Sequence, residues 1–385
     1  MTTTANWNYP TAIRFGAGRI DELAAACASA GLKAPLIVTD PFLATQPMIH
    51  TALAALQAAG LKAAVFSQIK SNPVESNVYA GLEALRSGGH DGVVAFGGGS
   101  ALDCGKVIAF MAGQTRPMWD FEDIGDWWMR ADPAGIQPVI AVPTTAGTGS
   151  EVGRAGVITH EATHTKKVIF HPAMMPKVTI CDPVLTVGMP KPITAGTGLD
   201  ALAHCLEAYC APSYHPMAEG MAVEGIRLVK TRLPRAYHDG GDIEARGDMM
   251  SAAAIGATAF QKGLGAIHAL SHPVGALYDT HHGMTNAVFM PYVLRFNEAA
   301  ISDKIARLAG YIGLAPNFSA FLDWTLALRS ELDVPHTLRG LKVDDAKFAT
   351  MSKMAPDDPT AGGNPVELTE RAAEDLYRRA YEGMV

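Results

Sequence analysis

The stretch that decides the fold of this 385-residue chain is residues 91–100, DGVVAFGGGS. A run of β-branched and small apolar residues is typical of a buried strand, and here it ends in three consecutive glycines. The residues that follow predict a helix from Ala101 to about Met111. Strand, glycine turn and helix form one unit of a βαβ fold, in which the turn lies at the carboxyl end of a parallel strand.

The same alternation extends through the first half of the chain. Further short strands are predicted at residues 34–38, 63–66, 138–142 and 178–181. From Pro190 onward the strand pattern fades, and apolar residues recur at helical spacing, as in residues 222–233. We therefore predict an α/β domain with a mostly parallel sheet over residues 1–187 and an all-α domain over residues 188–385.

Composition excludes several classes of protein. Hydrophobic residues make up 48% and charged residues 18%, which excludes a disordered or collagen-like chain. The 31 Lys and Arg against 38 Asp and Glu give a net charge of −7, which argues against nucleic acid or an anionic membrane as partner. No apolar run reaches the ~18 to 20 residues of a bilayer span, and no secretory signal is apparent. With five cysteines and no CxxC pair, a cytoplasmic protein is expected.

Two glycine-rich loops are candidate cofactor sites. Gly97, Gly98 and Gly99 allow a ligand to approach the backbone closely, and the helix N-terminus behind them suits a pyrophosphate. The alternative is a plain strand-to-helix turn with Ser100 and Asp103 as a capping box. Residues 143–151, PTTAGTGSE, place hydroxyl donors for phosphate and ribose in one loop, or merely cap the next helix.

An acid at the end of another strand completes this set. Asp40 follows the predicted strand 34–38 by two residues. Acids in this position hydrogen-bond ribose hydroxyls in NAD sites, although Asp40 could instead cap the turn before Pro41. The standard G-x-G-x-x-G fingerprint is absent. Because Asp40 precedes the glycines, the strand order must differ from that of the standard Rossmann fold.

Histidines in the second half share helix faces with each other and with an aspartate. Asp200 and His204 lie one helical turn apart, as do His268 and His272, and His282 follows in a turn-like segment. One carboxylate with several imidazoles suits Zn²⁺ or Fe²⁺. Any single pair at this spacing could lie on a helix without a metal. Burying all of these polar groups without partners, however, would cost free energy of folding.

Together these features resemble the iron-containing, or group III, alcohol dehydrogenase family over nearly the whole chain. The shared motifs are RFGAG at 14–18, GGGS at 97–100 with Asp103, PTTAGT at 143–148, GLDALAH at 198–204, His268-x3-His272-x9-His282-Gly283, and Asn364-Pro365. The resemblance implies a dehydroquinate synthase-like two-domain architecture, in which residues 1–187 form the dinucleotide-binding domain and residues 188–385 the metal-binding domain. It also implies an active site in the cleft between the domains, and a homodimer.

The resemblance also implies residue roles. The metal ligands are Asp200, His204, His268 and His282, with His272 as a catalytic residue beside the metal. The nicotinamide cofactor lies along Asp40, Gly97, Gly98, Gly99, Ser100, Asp103, Thr144, Thr145, Thr148 and Lys167. The implied metal is Fe²⁺, with Zn²⁺ as the alternative, and a carboxylate at Asp40 favours NAD over NADP because it would repel a 2′-phosphate.

The implied reaction is hydride transfer between a primary alcohol, or its aldehyde, and NAD. Glycerol dehydrogenase-like oxidation of a polyol, dehydroquinate synthase-like cyclisation assisted by NAD, and a metal-stabilised structural protein are the alternatives. The motif regions contain few arginines, which disfavours the synthase. Lys262, six residues before His268, could select substrates with a far carboxylate, or it could be solvated or contact the other domain or the cofactor phosphates.

Overall fold

The structure is a computed structural model that describes residues 5–7 and 10–385. Within it the chain divides into two compact units. The first unit runs to Gly188, except for Ala146–Thr148. That short segment belongs to the second unit, together with Met189–Val385.

Nine strands lie in the described part of the chain, all of them in the first unit. They are β1 (Ala5–Trp7), β2 (Ala12–Phe15), β3 (Pro35–Val38), β4 (Ala64–Phe66), β5 (Gly92–Gly97), β6 (Val139–Pro143), β7 (Ala155–His160), β8 (Thr165–Phe170) and β9 (Val178–Cys181). Seven of them form one sheet in the order β1-β2-β9-β6-β5-β3-β4, parallel except for β1. Strands β7 and β8 form a separate antiparallel hairpin.

Four helices of the first unit accompany this sheet. They are α1 (Leu23–Ser29), α2 (Pro47–Ala58), α3 (Glu75–Ser87) and α4 (Gly99–Met111). Val93 and Ala95 of β5 lie in one hydrophobic core with residues of α3 and α4. Val94 and Phe96 lie in a second core with residues of α1 and α2. The strand is therefore apolar at every position, because helices cover both faces of the sheet.

The strand order creates a switch point. Strand β3 pairs with β4 on one side and with β5 on the other. After β3, the chain first adds β4 at the edge of the sheet and then crosses to the opposite side of β3, where it adds β5. Across the sheet, five of the parallel strands lie in the order β4-β3-β5-β6-β9, which is the flavodoxin-like arrangement. Ligands of such sheets bind at the carboxyl ends of the strands beside the switch point. The predicted departure from the standard strand order is confirmed, and so is the α/β fold class.

Local details differ from the predictions at the first glycine turn. Helix α4 begins at Gly99, with Gly98 as its N-cap and no side-chain cap. The Ser100 hydroxyl instead donates to the backbone oxygen of Ser71. The predicted capping box of Ser100 and Asp103 is therefore wrong. The short strand β2 and the β7–β8 hairpin were also not predicted, since β2 has only four residues and the hairpin has many polar ones.

The described part of the second unit is helical, as predicted. Its helices are α5 (Lys191–Cys210), α6 (Pro216–His238), α7 (Ile243–Ala259), α8 (Ala266–Tyr278), α9 (His282–Tyr311), α10 (Phe318–Glu331), α11 (Phe348–Met354) and α12 (Glu370–Glu382). Within the described residues, none of the helices combines the length and the apolar character that a membrane span requires.

Candidate metal centre and cofactor loops

Helix α5 supplies the first two predicted metal ligands. Every residue of this helix from Thr194 to Cys210 is buried, so its polar side chains must find partners inside the protein. Asp200 is 2% exposed and His204 is 5% exposed. One turn of helix separates them, which places both on the same face of α5.

Helices α8 and α9 bring the other two predicted ligands to the same point. His268 lies in the first turn of α8, and His282 is the first residue of α9. The Nε2 atoms of His204, His268 and His282 lie 3.8, 3.7 and 3.6 Å from Oδ1 of Asp200. The structure thus gathers all four residues around one carboxylate oxygen.

Two glycines allow α5 and α9 to approach closely enough for this. A Cβ atom on Gly283 would lie 2.1 Å from the backbone oxygen of Gly196 and 3.1 Å from Cβ of Asp200. No side chain fits in that space, so the two backbones are in direct contact. The approach places His282, next to Gly283, beside Asp200.

The charges at this point suit a cation. Burial alone would raise the pKa of Asp200, but the neighbouring imidazoles of His204, His282 and His268 outweigh it and hold that pKa well below its usual range. Burial lowers the pKa of His204 to about 4, so this imidazole is neutral and able to coordinate at neutral pH. For His268, burial alone would lower the pKa, but the carboxylates of Glu207 and Asp200 raise it to about 10, so a bound cation would displace a proton from this ring.

An asparagine that sequence reasoning missed also points into the cluster. Nδ2 of Asn286 lies 2.8 Å from Oδ1 of Asp200, 3.2 Å from Nε2 of His268 and 3.1 Å from Nε2 of His282. A positively polarised amide group therefore contacts three of the four predicted ligands. This donor set of one anionic oxygen and three ring nitrogens fits a divalent transition metal. The sequence offered one signal for Asn286, namely its position four residues after His282, which places both side chains on the same face of α9.

Glu207 was missed as well. It is 6% exposed and lies on α5, three residues after His204. Its Oε2 atom lies 2.5 Å from Nδ1 of His268, and its Oε1 atom accepts a hydrogen bond of 2.7 Å from the backbone N–H of Ile267. A buried carboxylate thus holds the ring of one predicted metal ligand.

His272, the predicted catalytic residue, lies beside this cluster. Its ring stacks on that of His282, with ring centroids 5.3 Å apart and an interplanar angle of 17°. Nδ1 of His272 lies 2.7 Å from Oδ2 of Asp358. Asp358, in the segment between α11 and α12, had no role in the sequence analysis because nothing local links it to His272.

The predicted cofactor glycines lie at the carboxyl end of β5. Gly97 has φ +153°, and a Cβ there would lie 2.8 Å from Cβ of Ala101, so the turn requires glycine. The backbone N–H of Thr144 donates to the Gly97 oxygen at 2.9 Å, and a Cβ on Gly98 would lie 3.3 Å from the methyl group of Thr145. The two predicted loops are therefore adjacent at one edge of the sheet.

The remaining predicted cofactor residues have protein partners in this structure. Oδ1 of Asp40 accepts hydrogen bonds of 2.9 Å from the backbone N–H groups of Phe42 and Leu43, so the turn considered as an alternative is present. The carboxylate of Asp103 accepts from the hydroxyl of Ser150 at 2.5 Å and from the backbone N–H of Val157 at 3.0 Å.

Lys167 of β8 and Thr148 complete that set. Nζ of Lys167 lies 2.6 Å from Oε2 of Glu122, so its charge has a partner. Thr148 belongs to the short segment that groups with the second unit. The cofactor contacts of these residues stay predictions.

The structure contradicts the substrate role considered for Lys262, and also its solvated position. The side chain is completely buried, and Nζ donates to the backbone oxygens of Ala208, Tyr209 and Ala211 at 3.0, 3.2 and 2.6 Å. It also lies 3.0 Å from Oε1 of Glu219. Lys262 therefore caps the C-terminus of α5, where the unpaired carbonyl groups of a helix attract a cation.

Known proteins match the chain along most of its length. Residues 10–183 match a family model described as iron-containing alcohol dehydrogenase, and residues 194–381 match the C-terminal model of the Fe-containing alcohol dehydrogenase family. A 4-hydroxybutyrate dehydrogenase of Cupriavidus necator is 40% identical over 97% of this chain and 98% of its own length. A 1,3-propanediol dehydrogenase of Citrobacter freundii is 35% identical over 95% and 96%.

Solved structures agree with these matches. A 1,3-propanediol oxidoreductase superposes with a TM-score of 0.91 at 34% identity, covering 99% of this chain and 100% of that one. A sulfoacetaldehyde reductase from Bifidobacterium kashiwanohense, solved in complex with NAD⁺, superposes with a TM-score of 0.87 at 30% identity, covering 99% and 98%. The resemblance seen in the sequence motifs is confirmed: the chain belongs to the iron-containing alcohol dehydrogenase family.

Proposed function

We propose that this oxidoreductase of CH–OH groups transfers a hydride between NAD and a short primary alcohol that carries a second oxygen-containing group at its far end. The convergence of three imidazoles on the buried carboxylate of Asp200 is the observation that carries the proposal. The choice of substrate rests on the relatives, since one is a 4-hydroxybutyrate dehydrogenase and another a 1,3-propanediol dehydrogenase.

In this proposal, Asp200, His204, His268 and His282 hold one divalent metal ion. The family supports Fe²⁺, and the donor set suits Zn²⁺ equally well. A cation held there supplies Lewis-acid polarisation of the alcohol or aldehyde oxygen, and NAD supplies hydride acceptance.

The chain's own contribution to proton transfer is His272. Because the Asp358 carboxylate accepts the proton of Nδ1, the lone pair of His272 lies on Nε2. Nε2 is then the atom that takes the hydroxyl proton during oxidation and returns it during reduction. The side chain is 16% exposed, so the proton can pass to solvent.

The loop from Gly97 to Ser100 and the adjacent residues Thr144 and Thr145 are the proposed cofactor cradle, and Thr148 is proposed as a further cofactor contact. Glycines at a strand end followed by the N-terminus of α4 suit the pyrophosphate, and Thr hydroxyls suit phosphate or ribose oxygens. Asp40 lies two residues after the end of β3, the strand that pairs with β5, and is proposed to bind the ribose hydroxyls, which makes NAD the preferred cofactor.

The deciding experiment is anaerobic purification with metal analysis, followed by a substrate panel monitored by nicotinamide absorbance. We expect stoichiometric metal and NADH production, with 4-hydroxybutyrate and 1,3-propanediol oxidised more efficiently than methanol or ethanol. His268→Ala should lose both metal and activity, whereas the control His50→Ala, at an exposed position of α2, should keep both. Metal-replete wild-type protein that reduces no NAD with any of these alcohols would refute the proposal.

We further propose that the protein is a homodimer in the cytoplasm. The family resemblance supports the dimer, and five buried free cysteines suit a reducing compartment. Light scattering coupled to gel filtration gives the mass directly. A mass of one chain, about 40.6 kDa, at micromolar concentration would contradict the dimer.

A further inference from the structure

Helix α5 carries three acidic or basic side chains on a single stripe. Asp200, His204 and Glu207 occupy positions i, i+4 and i+7, which face the same side of a helix. Two of them are proposed metal ligands. The third, Glu207, contacts the ring nitrogen of His268 that faces away from the metal site, since its Oε2 atom lies 2.5 Å from Nδ1 of His268 on α8.

We infer that Glu207 is a positioning residue of the metal centre, which sets the tautomer and the ring orientation of His268. The inference rests on the proposed function, because it assumes that His268 coordinates a metal. A carboxylate only accepts hydrogen bonds, so its partner Nδ1 must carry the proton. Nε2, which faces Asp200 at 3.7 Å, is then the atom left to coordinate the metal.

The second oxygen of Glu207 makes this arrangement rigid. Oε1 accepts the backbone N–H of Ile267 at 2.7 Å, and Oδ1 of Asn364 accepts that of Ala266 at 3.1 Å. The N-cap of α8 is Gly265, which offers no side chain, so these two residues satisfy the first N–H groups of the helix. Glu207 therefore holds both the ring of His268 and the helix turn that carries it.

Glu207 thus has a capping role and a proposed tautomer role, and Glu207→Gln separates the two. The Gln oxygen can still accept from Ile267, which preserves the cap. Its amide would face Nδ1 of His268 as a donor, so Nδ1 would have to accept and the ring proton would move to Nε2. The matched control is Asn364→Ala, which removes the other side-chain cap of α8 and its paired hydrogen bonds with Asn297.

The test titrates metal-free protein with Zn²⁺ against a competing chelator, with thermal unfolding of the metal-free forms in parallel. We expect Glu207→Gln to weaken Zn²⁺ binding about 10- to 100-fold while the metal-free protein stays folded. Asn364→Ala should lower the unfolding temperature and change Zn²⁺ affinity only slightly. Equal affinities for wild type and Glu207→Gln would overturn the inference and leave the proposed function intact. A wild type that binds neither Zn²⁺ nor, in an anaerobic titration, Fe²⁺ would overturn both.

A second measurement needs no variant at position 207. In Zn²⁺-loaded wild-type protein labelled with ¹⁵N-histidine, the ring resonances of His268 should show a proton on Nδ1 and coordination through Nε2, with His268→Gln identifying the signal. A proton on Nε2 would overturn the inference directly.

Discussion

Nδ1 of His272 lies 2.7 Å from Oδ2 of Asp358, and the other carboxylate oxygen accepts the backbone N–H and the hydroxyl of Thr360 at 2.9 and 2.6 Å. Two hydrogen bonds from Thr360 therefore hold the Asp358 carboxylate in place, and this carboxylate in turn orients the imidazole of His272. Burial alone would raise the pKa of Asp358, but His272 and Thr360 outweigh it and lower that pKa. The carboxylate stays ionised and keeps accepting the Nδ1 proton.

Replacing this carboxylate by an amide should impair turnover without removing the metal. In Asp358→Asn the side chain can donate to Nδ1, which would move the proton of His272 to Nε2 and block proton acceptance there. We expect kcat to fall about 100-fold, with metal content unchanged. The control is Asp357→Asn, at the exposed neighbouring position, which should have wild-type kinetics. Wild-type kcat in Asp358→Asn would remove His272 from the proton path.

The charge of Asp40 should determine the choice of nicotinamide cofactor. Asp40→Asn keeps an oxygen that can accept from Phe42 and Leu43, so the turn persists while the negative charge is lost. We expect the ratio of kcat/KM with NADP to kcat/KM with NAD to rise at least about tenfold, because the repulsion of the 2′-phosphate disappears. If wild-type protein already uses both cofactors equally, Asp40 does not discriminate between them.

The contact between Gly283 and Gly196 should tolerate no side chain. The Cβ of Gly283→Ala would lie 2.1 Å from a backbone oxygen, so α9 must move away from α5 and take His282 with it. We expect a loss of about 1–3 kcal/mol in stability, together with a lower metal content. Gly220→Ala on α6 is the control: its Cβ meets nothing within 4 Å, so it should be neutral or slightly stabilising. Full metal occupancy in Gly283→Ala would show that the helices can separate without harm.

Lys262 should matter for stability and not for substrate choice. Lys262→Met leaves the backbone oxygens of Ala208 and Ala211 at the end of α5 without this donor, while Tyr209 keeps its hydrogen bond from Lys304. The loss should cost roughly 3 kcal/mol of unfolding free energy. The preference for 4-hydroxybutyrate over 1,3-propanediol should not change. Lys353→Met, at an exposed position, serves as the control for loss of a lysine charge. A selective loss of activity toward the acidic substrate would restore the anion-binding role.

Glu151 should make stability depend on pH. Burial raises the pKa of this carboxyl to about 7, above its ordinary value of 4.5. Since the folded state holds the proton more tightly, the stabilisation is fully present below the unfolded value and is lost as pH rises through 7. Unfolding free energies of wild type, relative to Glu151→Gln, should therefore fall between pH 4.5 and 7. Glu83→Gln at an exposed site controls for general charge effects, and parallel pH profiles of wild type and Glu151→Gln would contradict the assignment.

Much of the fold could be predicted from the sequence because the signals are local. The apolar run of β5 and its glycine turn, the other core strands and the change to helical spacing in the second half all depend on residues that are neighbours in the chain. The i, i+4 spacing likewise paired Asp200 with His204 on α5 and His268 with His272 on α8, since helix geometry alone places the members of each pair on one face.

The partners of those side chains were decided only by tertiary structure. Glu207 binds a histidine 61 residues away, and Asp358 binds one 86 residues away. The position of Lys262 close to His268 in the sequence suggests a substrate contact, yet its ammonium group caps a helix whose last carbonyl groups lie more than 50 residues earlier. Periodicity specifies which face of a helix is buried, but the atom that a buried polar group contacts depends on which backbones come together, and no local pattern encodes that approach.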